Sequence, residues 1–282
     1  MKKNLFKILS LLTSFIPTKF LIKLSGKQTI YPFYHIINNN SPAHIKHLYP
    51  VRSIRQFEKD LDFLQKYFTA SEFLQNKNKS AFILSFDDGL SDVYKTITPI
   101  LKKRKIPAIF FINSAFIDNK DMFINYISSL KKENPKIDYK GYLKTEKPYL
   151  TKQQISELKT EGFTIGAHSI NHPLFSEISE EEQIRQTKES IKFVTENFGE
   201  TQKLFAFPFT DNGVKDTFFD TVFKNKITDY TFGTAGIKDD KIKNNIQRIP
   251  IEKYGMSAKR HIKTEYLLYI LKKIIGKHIV EH

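Results

Sequence analysis

At 282 residues, with 40% hydrophobic and 27% charged residues, the chain can bury a large core, and neither disorder nor a solenoid fits its composition. The net charge of +15 comes from lysines spread along the sequence, with no zinc-finger pattern, RNA-binding signature or basic-aromatic stripe, which argues against nucleic acid as a partner. Cysteine is absent, so disulfides, thiolate ligands and thiol nucleophiles are excluded and any metal must sit on His, Asp or Glu.

The chain starts MKKNLFKILSLLTSFIPTKFLIKLSG, where the uncharged run 8–18 is shorter than the roughly 20 residues of a membrane span. Leu5, Ile8, Leu9, Leu12, Phe15 and Ile16 recur at helical spacing opposite Lys3, Lys7, Ser10 and Ser14, predicting an amphipathic helix ended by Pro17. Such a helix either packs on the domain or lies on a membrane surface. No alanine-type cleavage site follows, the first alanine being Ala43, so the expected location is the cytoplasm or the periphery of a membrane, with export as the alternative. The expected organisation is an amphipathic helix at 1–26, one α/β domain at 27–255 and a basic helical segment at 256–282.

TIYPFYHII (29–37) reads as a strand, and SIRQFEKDLDFLQKYF (53–68) as a helix capped by Ser53. Between them, His44 and His47 lie in a polar stretch expected to face solvent. AFILSF (81–86) and PAIFFIN (107–113) read as strands buried on both faces, joined by a helix over DVYKTITPILKKRKI. A helix capped by Thr151 then leads into FTIGAHS, a strand that delivers His168 to its carboxyl end. Ser179 and Glu182 stand in capping-box spacing before a helix that closes at Gly199, and LFAFPF (204–209) is a strand cut off by Pro208. Segments 118–150 and 210–245 read as loops, insertions or short helices over the site. Repeated β-α units close into a barrel or an open doubly wound sheet, and in both the ligand site lies at the carboxyl ends of the strands.

Asp87 and Asp88 fall at such an end. Two adjacent carboxylates there repel one another and lose solvation unless a cation or a proton relieves them, although Asp-Asp-Gly also makes an ordinary solvated turn. In AHSINHP, His168 and His172 stand four apart and can aim two imidazoles at one point, as zinc requires.

SFDDG together with HSINH resembles the first two motifs of the NodB-type polysaccharide deacetylases, carbohydrate esterase family 4. IPAIFFI, GFTIGAHS and FAFPF resemble further segments of that family in the same order, over roughly residues 80–210. The resemblance implies a single-domain, deformed (β/α)7-type barrel and one divalent metal, zinc by ligand type, on Asp88, His168 and His172. It further implies Asp87 as general base, with the backbone N–H of Phe209, just after Pro208, holding the oxyanion. Two features depart from the family pattern. The arginine expected shortly before Pro208 is replaced by Lys203, which leaves Arg248 in QRIP either to orient Asp87 or to form a structural salt bridge. The late Leu-x-His is also missing, since His261, His278 and His282 sit in basic or terminal segments. A permuted branch, similar to the poly-N-acetylglucosamine deacetylases, carries its acid histidine in an N-terminal Tyr-His pair, and Tyr34-His35 matches it. His35 is then the expected general acid, or else a histidine packed at a strand end.

The implied activity is metal-dependent removal of an N-acetyl group from an amino sugar of a surface polysaccharide, a glycolipid or its precursor, with peripheral membrane contact as a further partner. The alternatives are deformylation of a lipid-linked amino sugar and a catalytically degenerate carbohydrate-binding protein.

Overall fold

Runs such as AIFFI at 108–112 are buried at every position, and their alternation sorts side chains to two sides of one sheet. Ile109 and Phe111 join Ile83, Leu204, Ala206 and Phe232 in an inner cluster, while Phe110 and Ile112 pack outward with Phe86, Ile165 and Phe205 against the helices. The computed structural model describes residues 2–74 and 80–282, without the side chains of residues 2–5, so Lys3 and Leu5 of the expected amphipathic stripe lie outside the described side chains.

The sheet is parallel throughout. Its strands are β1 (Pro32–Tyr34), β2 (Leu84–Phe86), β3 (Ala108–Ile112), β4 (Thr164–Ala167), β5 (Leu204–Ala206) and β6 (Tyr230–Gly233). A seventh, β7, is interrupted at Arg248: its first part, Asn245–Gln247, pairs with β6, and its second, Ile249–Pro250, pairs with β1. This one strand therefore touches both edges of the sheet and closes it. The result is a single-domain, deformed (β/α)7 barrel, as the resemblance implies.

Close packing inside the barrel explains Gly166 on β4: a Cβ there would stand 2.4 Å from the Phe111 ring.

Helices α1 (Lys2–Leu12), α2 (Thr18–Ser25) and α3 (Ile54–Tyr67) come first in the chain, and α3 starts with a full capping box of Ser53 and Gln56. The crossovers carry α4 (Thr98–Arg104), α5 (Ile124–Glu133), α6 (Tyr139–Thr145), α7 (Lys152–Thr160), α8 (Glu180–Phe198) and α9 (Asp216–Lys224). Helix α10 (Ala258–Ile274) packs across α1, α2 and α3.

Three details differ from the sequence reading. Ser179 caps α8 through the Glu182 N–H, but the Glu182 carboxylate turns to Arg185 and Gln186, so only half of the box forms. Segment 210–245 is no lid: it contributes α9 and β6, a full unit of the barrel, which the polar KITDYTFG stretch conceals. His44 is buried rather than exposed. Its Nδ1 lies 2.8 Å from the Tyr142 hydroxyl, and burial lowers its pKa to about 4.

Candidate active site

Asp87 and Asp88 follow β2, His168 follows β4, His35 follows β1 and Glu252 lies just past β7, so all emerge at the carboxyl end of the barrel. They line one cleft of about 400 Å³, shared with Phe209, Phe123, Tyr126 and Tyr49. Pro208 is not among its lining residues; it stands at the turn that presents Phe209, whose ring packs 4.7 Å from that of His172.

The backbone around this cleft is strained. Asp88 (φ 73°), Ser169 (φ 69°), His172 (φ 62°) and Phe209 (φ 59°) all occupy the left-handed region that favours glycine. Local hydrogen bonds hold the histidine loop in that shape. Asn113 donates to the His168 carbonyl and lies 3.3 Å from Ser169 Oγ, which accepts from the His172 N–H at 3.0 Å.

His168 Nε2 and His172 Nε2 lie 3.2 and 3.1 Å from Asp88 Oδ1, and all three side chains are buried. The His168 Nδ1–H donates to the Ala206 carbonyl at 2.8 Å, a tautomer that leaves Nε2 as a lone pair facing the acid. The Tyr126 hydroxyl donates to Asp88 Oδ2, whereas Oδ1 is buried without a hydrogen-bond partner. An orphaned carboxylate oxygen facing two imidazole nitrogens suits a divalent cation, and the three ligand atoms lie within 4.8 Å of one another. Burial alone would raise the Asp88 pKa, but the adjacent His172 and His168 bring it well below the usual carboxylate value.

Asp211, Asp240 and His282 form a second group of the same residue types outside the cleft, and its carboxylates already have hydrogen-bond partners. Asn245 Nδ2 donates to both carboxylates at 2.8 and 2.9 Å, and His282 lies 3.0 Å from Asp240.

Arg248 sits at the break in β7 and points its guanidinium into the barrel. Nη1 and Nη2 each donate to one oxygen of Asp87 at 2.7 Å, with Ser85 Oγ 3.1 Å from Nη1. Both partners are almost fully buried, and the Phe33 ring lies 4.2 Å from the guanidinium carbon. Desolvation pushes the Asp87 pKa up, yet the charge of Arg248, aided by His168, leaves it below the ordinary value. Asp87 is accordingly an anion at neutral pH.

His35 lies in this cleft and not at the far end of the barrel. Its Nδ1 is 2.7 Å from Glu252 Oε2, which also accepts the His35 backbone N–H at 3.0 Å. Burial lowers the imidazole pKa, but the bond to Glu252 and the charges of Asp88, Glu252 and Asp87 outweigh it and raise the pKa to about 9. Glu252 escapes sequence reasoning because its place is a matter of register. Pro250 pairs with Phe33 across β7 and β1, which brings the acid two residues later beside the histidine. Tyr126 escapes because it comes from α5, in a segment read only as covering the site.

Fold and site define a parallel barrel with a buried Asp-His-His group, at the carboxyl ends of its strands, that could hold a metal ion. The sequence profile of the family described as polysaccharide deacetylase matches residues 74–226, and the chain belongs to that family. It is 29% identical over 166 residues to the poly-beta-1,6-N-acetyl-D-glucosamine N-deacetylase of Staphylococcus aureus, a match covering 55% of this chain and 52% of the relative. The chain thus spans about half the length of these curated relatives. Among solved structures, the Streptococcus pyogenes deacetylase PplD, determined with acetate, superposes with a TM-score of 0.62 at 19% identity, covering 85% of this chain and 98% of that one. IcaB from Ammonifex degensii does so at 0.61 and 17% identity, with the same coverage. At these identities the two structures speak for the fold alone.

Proposed function

We propose that the chain is a metal-dependent hydrolase that removes the N-acetyl group from an amino sugar of a polysaccharide. The observation that carries this reading is the gathering, in one cleft, of a buried Asp88–His168–His172 group, an anionic Asp87 and a cationic His35. The names of the curated relatives support an N-acetylglucosamine polymer as the substrate class. A divalent cation on the triad, with zinc favoured by one carboxylate and two imidazoles, would polarise the amide carbonyl and stabilise charge on its oxygen. Asp87, fixed by the Arg248 fork, accepts a proton from the attacking water. The backbone N–H of Phe209, turned by its left-handed φ, donates to the developing oxyanion. His35, anchored by Glu252, gives a proton to the departing amine, which is a poor leaving group until protonated.

Acetate release from β-1,6-linked N-acetylglucosamine oligomers by zinc-loaded protein tests the reading. Oligomer binding without acetate would point instead to a degenerate carbohydrate-binding site, and formate release from an N-formyl sugar to a deformylase.

The ligand assignment has its own check. Asp88→Ala, His168→Ala and His172→Ala should each lower metal content after zinc loading and dialysis by roughly tenfold or more. Elemental analysis showing parental zinc in all three would remove the assignment.

Glu252→Gln should move the alkaline limb of the pH–rate profile. His35 acts as the protonated form, so turnover falls as pH rises through its pKa, and loss of the Glu252 charge lowers that pKa. The limb should shift to lower pH by roughly one to two units. An even loss of activity at every pH would make Glu252 merely structural.

A further inference from the structure

Helix α1 exposes most of its large apolar side chains, unlike an ordinary surface helix. Its buried side is largely polar next to one aromatic anchor: Phe6 stacks on Tyr254 at 4.1 Å, Ser10 and Thr13 are fully covered, Arg260 donates to Ser10 Oγ at 2.7 Å, and Lys263 Nζ donates to the Ser14 carbonyl at 3.0 Å. The Thr13 and Thr264 hydroxyls meet at 3.3 Å on the same side. Its apolar side faces out, with Ile8, Leu11 and Leu12 each more than half exposed and Phe15, in the turn that follows, 90% exposed. The polar contacts with α10 hold the helix in that orientation, so the exposed stripe is built in rather than left over.

The stripe does not stand alone. Phe20 and Leu24 on α2 are also more than half exposed, as are Ile274 and Ile275 at the end of α10, which packs against both N-terminal helices. Of fourteen exposed large hydrophobics among the described residues, nine belong to these three helices, the turn and Ile275, which caps α10. Exposed Lys7, Lys19, Lys23, Lys273 and Lys277 accompany them, and the first acidic residue of the chain is Glu58.

We propose that α1, α2 and the end of α10 form a docking face for an anionic lipid bilayer. Apolar side chains accompanied by lysines match acyl chains beneath negative headgroups. Pairing two copies through this face would instead set their lysines against one another in a chain of net charge +15. The face lies on the bilayer and does not cross it: among the described residues no single helix is long and apolar enough, and the apolar stretches 6–15 and 18–25 meet at 110°. A cavity bordered by Phe6 and Leu9 of α1 shares Thr234, Pro250 and Lys253 with the catalytic cleft, so docking sets the cleft near the lipid surface. Lipid binding itself is independent of the reading of the cleft, because it is measured without turnover.

The test is co-sedimentation of the purified full chain with phosphatidylcholine vesicles, with and without phosphatidylglycerol. The parent should sediment with the anionic vesicles and be released by added salt. Leu12→Ser/Phe15→Ser changes two exposed side chains and should keep the parental melting curve while partitioning about ten- to a hundredfold less. Lys19→Glu/Lys23→Glu should abolish the preference for anionic lipid. Absence of parental binding, or equal partitioning of the parent and Leu12→Ser/Phe15→Ser, overturns the proposal. A parental dimer that this serine variant turns into a monomer overturns it in favour of a second copy.

Discussion

Asp87→Asn should lower turnover by roughly two to four orders of magnitude while leaving the metal in place. The substitution keeps the shape of the side chain and does not touch Asp88, His168 or His172, whose contacts run through Asp88 Oδ1. What it removes is the anion that Arg248 holds at 2.7 Å through both of its oxygens, and with it the proposed acceptor for the proton of water. An amide nitrogen must then face a guanidinium N–H, so some loss of stability accompanies the loss of rate. Acetate release at saturating oligomer, together with zinc content of the same sample, separates the two effects. A variant with parental turnover and parental zinc would place the base elsewhere.

The carboxylates and histidines were readable because each adjoins an apolar run that could only be a buried strand. AFILSF ends at Asp87 and Asp88, and FTIGAHS ends at His168. Strand ends on one side of a parallel sheet share one surface, which makes such residues neighbours before any coordinate is known. Arg248 was visible as a residue but not as a position. NIQRIP is short and half polar, and nothing local shows that its two halves pair with strands from opposite ends of the chain. Glu252 and Tyr126 depend on register and on a crossover helix respectively, long-range matters for which periodicity carries no signal. The N-terminal helix shows a different limit. Its amphipathic pattern was plain, but which face it buries is decided by Arg260 and Lys263, some 250 positions away. Pattern gives the existence of a face; only the partner gives its direction.

Arg248→Met should destabilise the fold by roughly 3–5 kcal/mol, the cost of leaving one member of a buried ion pair without the other. Asp87 is 2% exposed, and the guanidinium paired with it is itself enclosed by aromatic rings, the centroids of Phe33, Phe111 and Phe232 all lying within 6.0 Å of its carbon. Arginine also bridges the break in β7, donating from Nε to the Gly233 carbonyl at 3.3 Å, so methionine loosens the closure of the barrel as well. Urea unfolding would show the stability change as a lower midpoint. Stability alone does not distinguish a positioning residue from a structural one, and Arg248→Lys supplies the distinction. Lysine keeps a positive charge near Asp87 but offers a single ammonium in place of a fork, so it cannot donate along two parallel bonds to both carboxylate oxygens. Most of the stability should return in that variant while kcat stays depressed roughly tenfold or more and KM changes little, because the base is charged yet poorly aimed. Recovery of full kcat with lysine would reduce Arg248 to a structural counter-charge, and a parental unfolding midpoint in the methionine variant would show that Asp87 finds another partner when the guanidinium is gone.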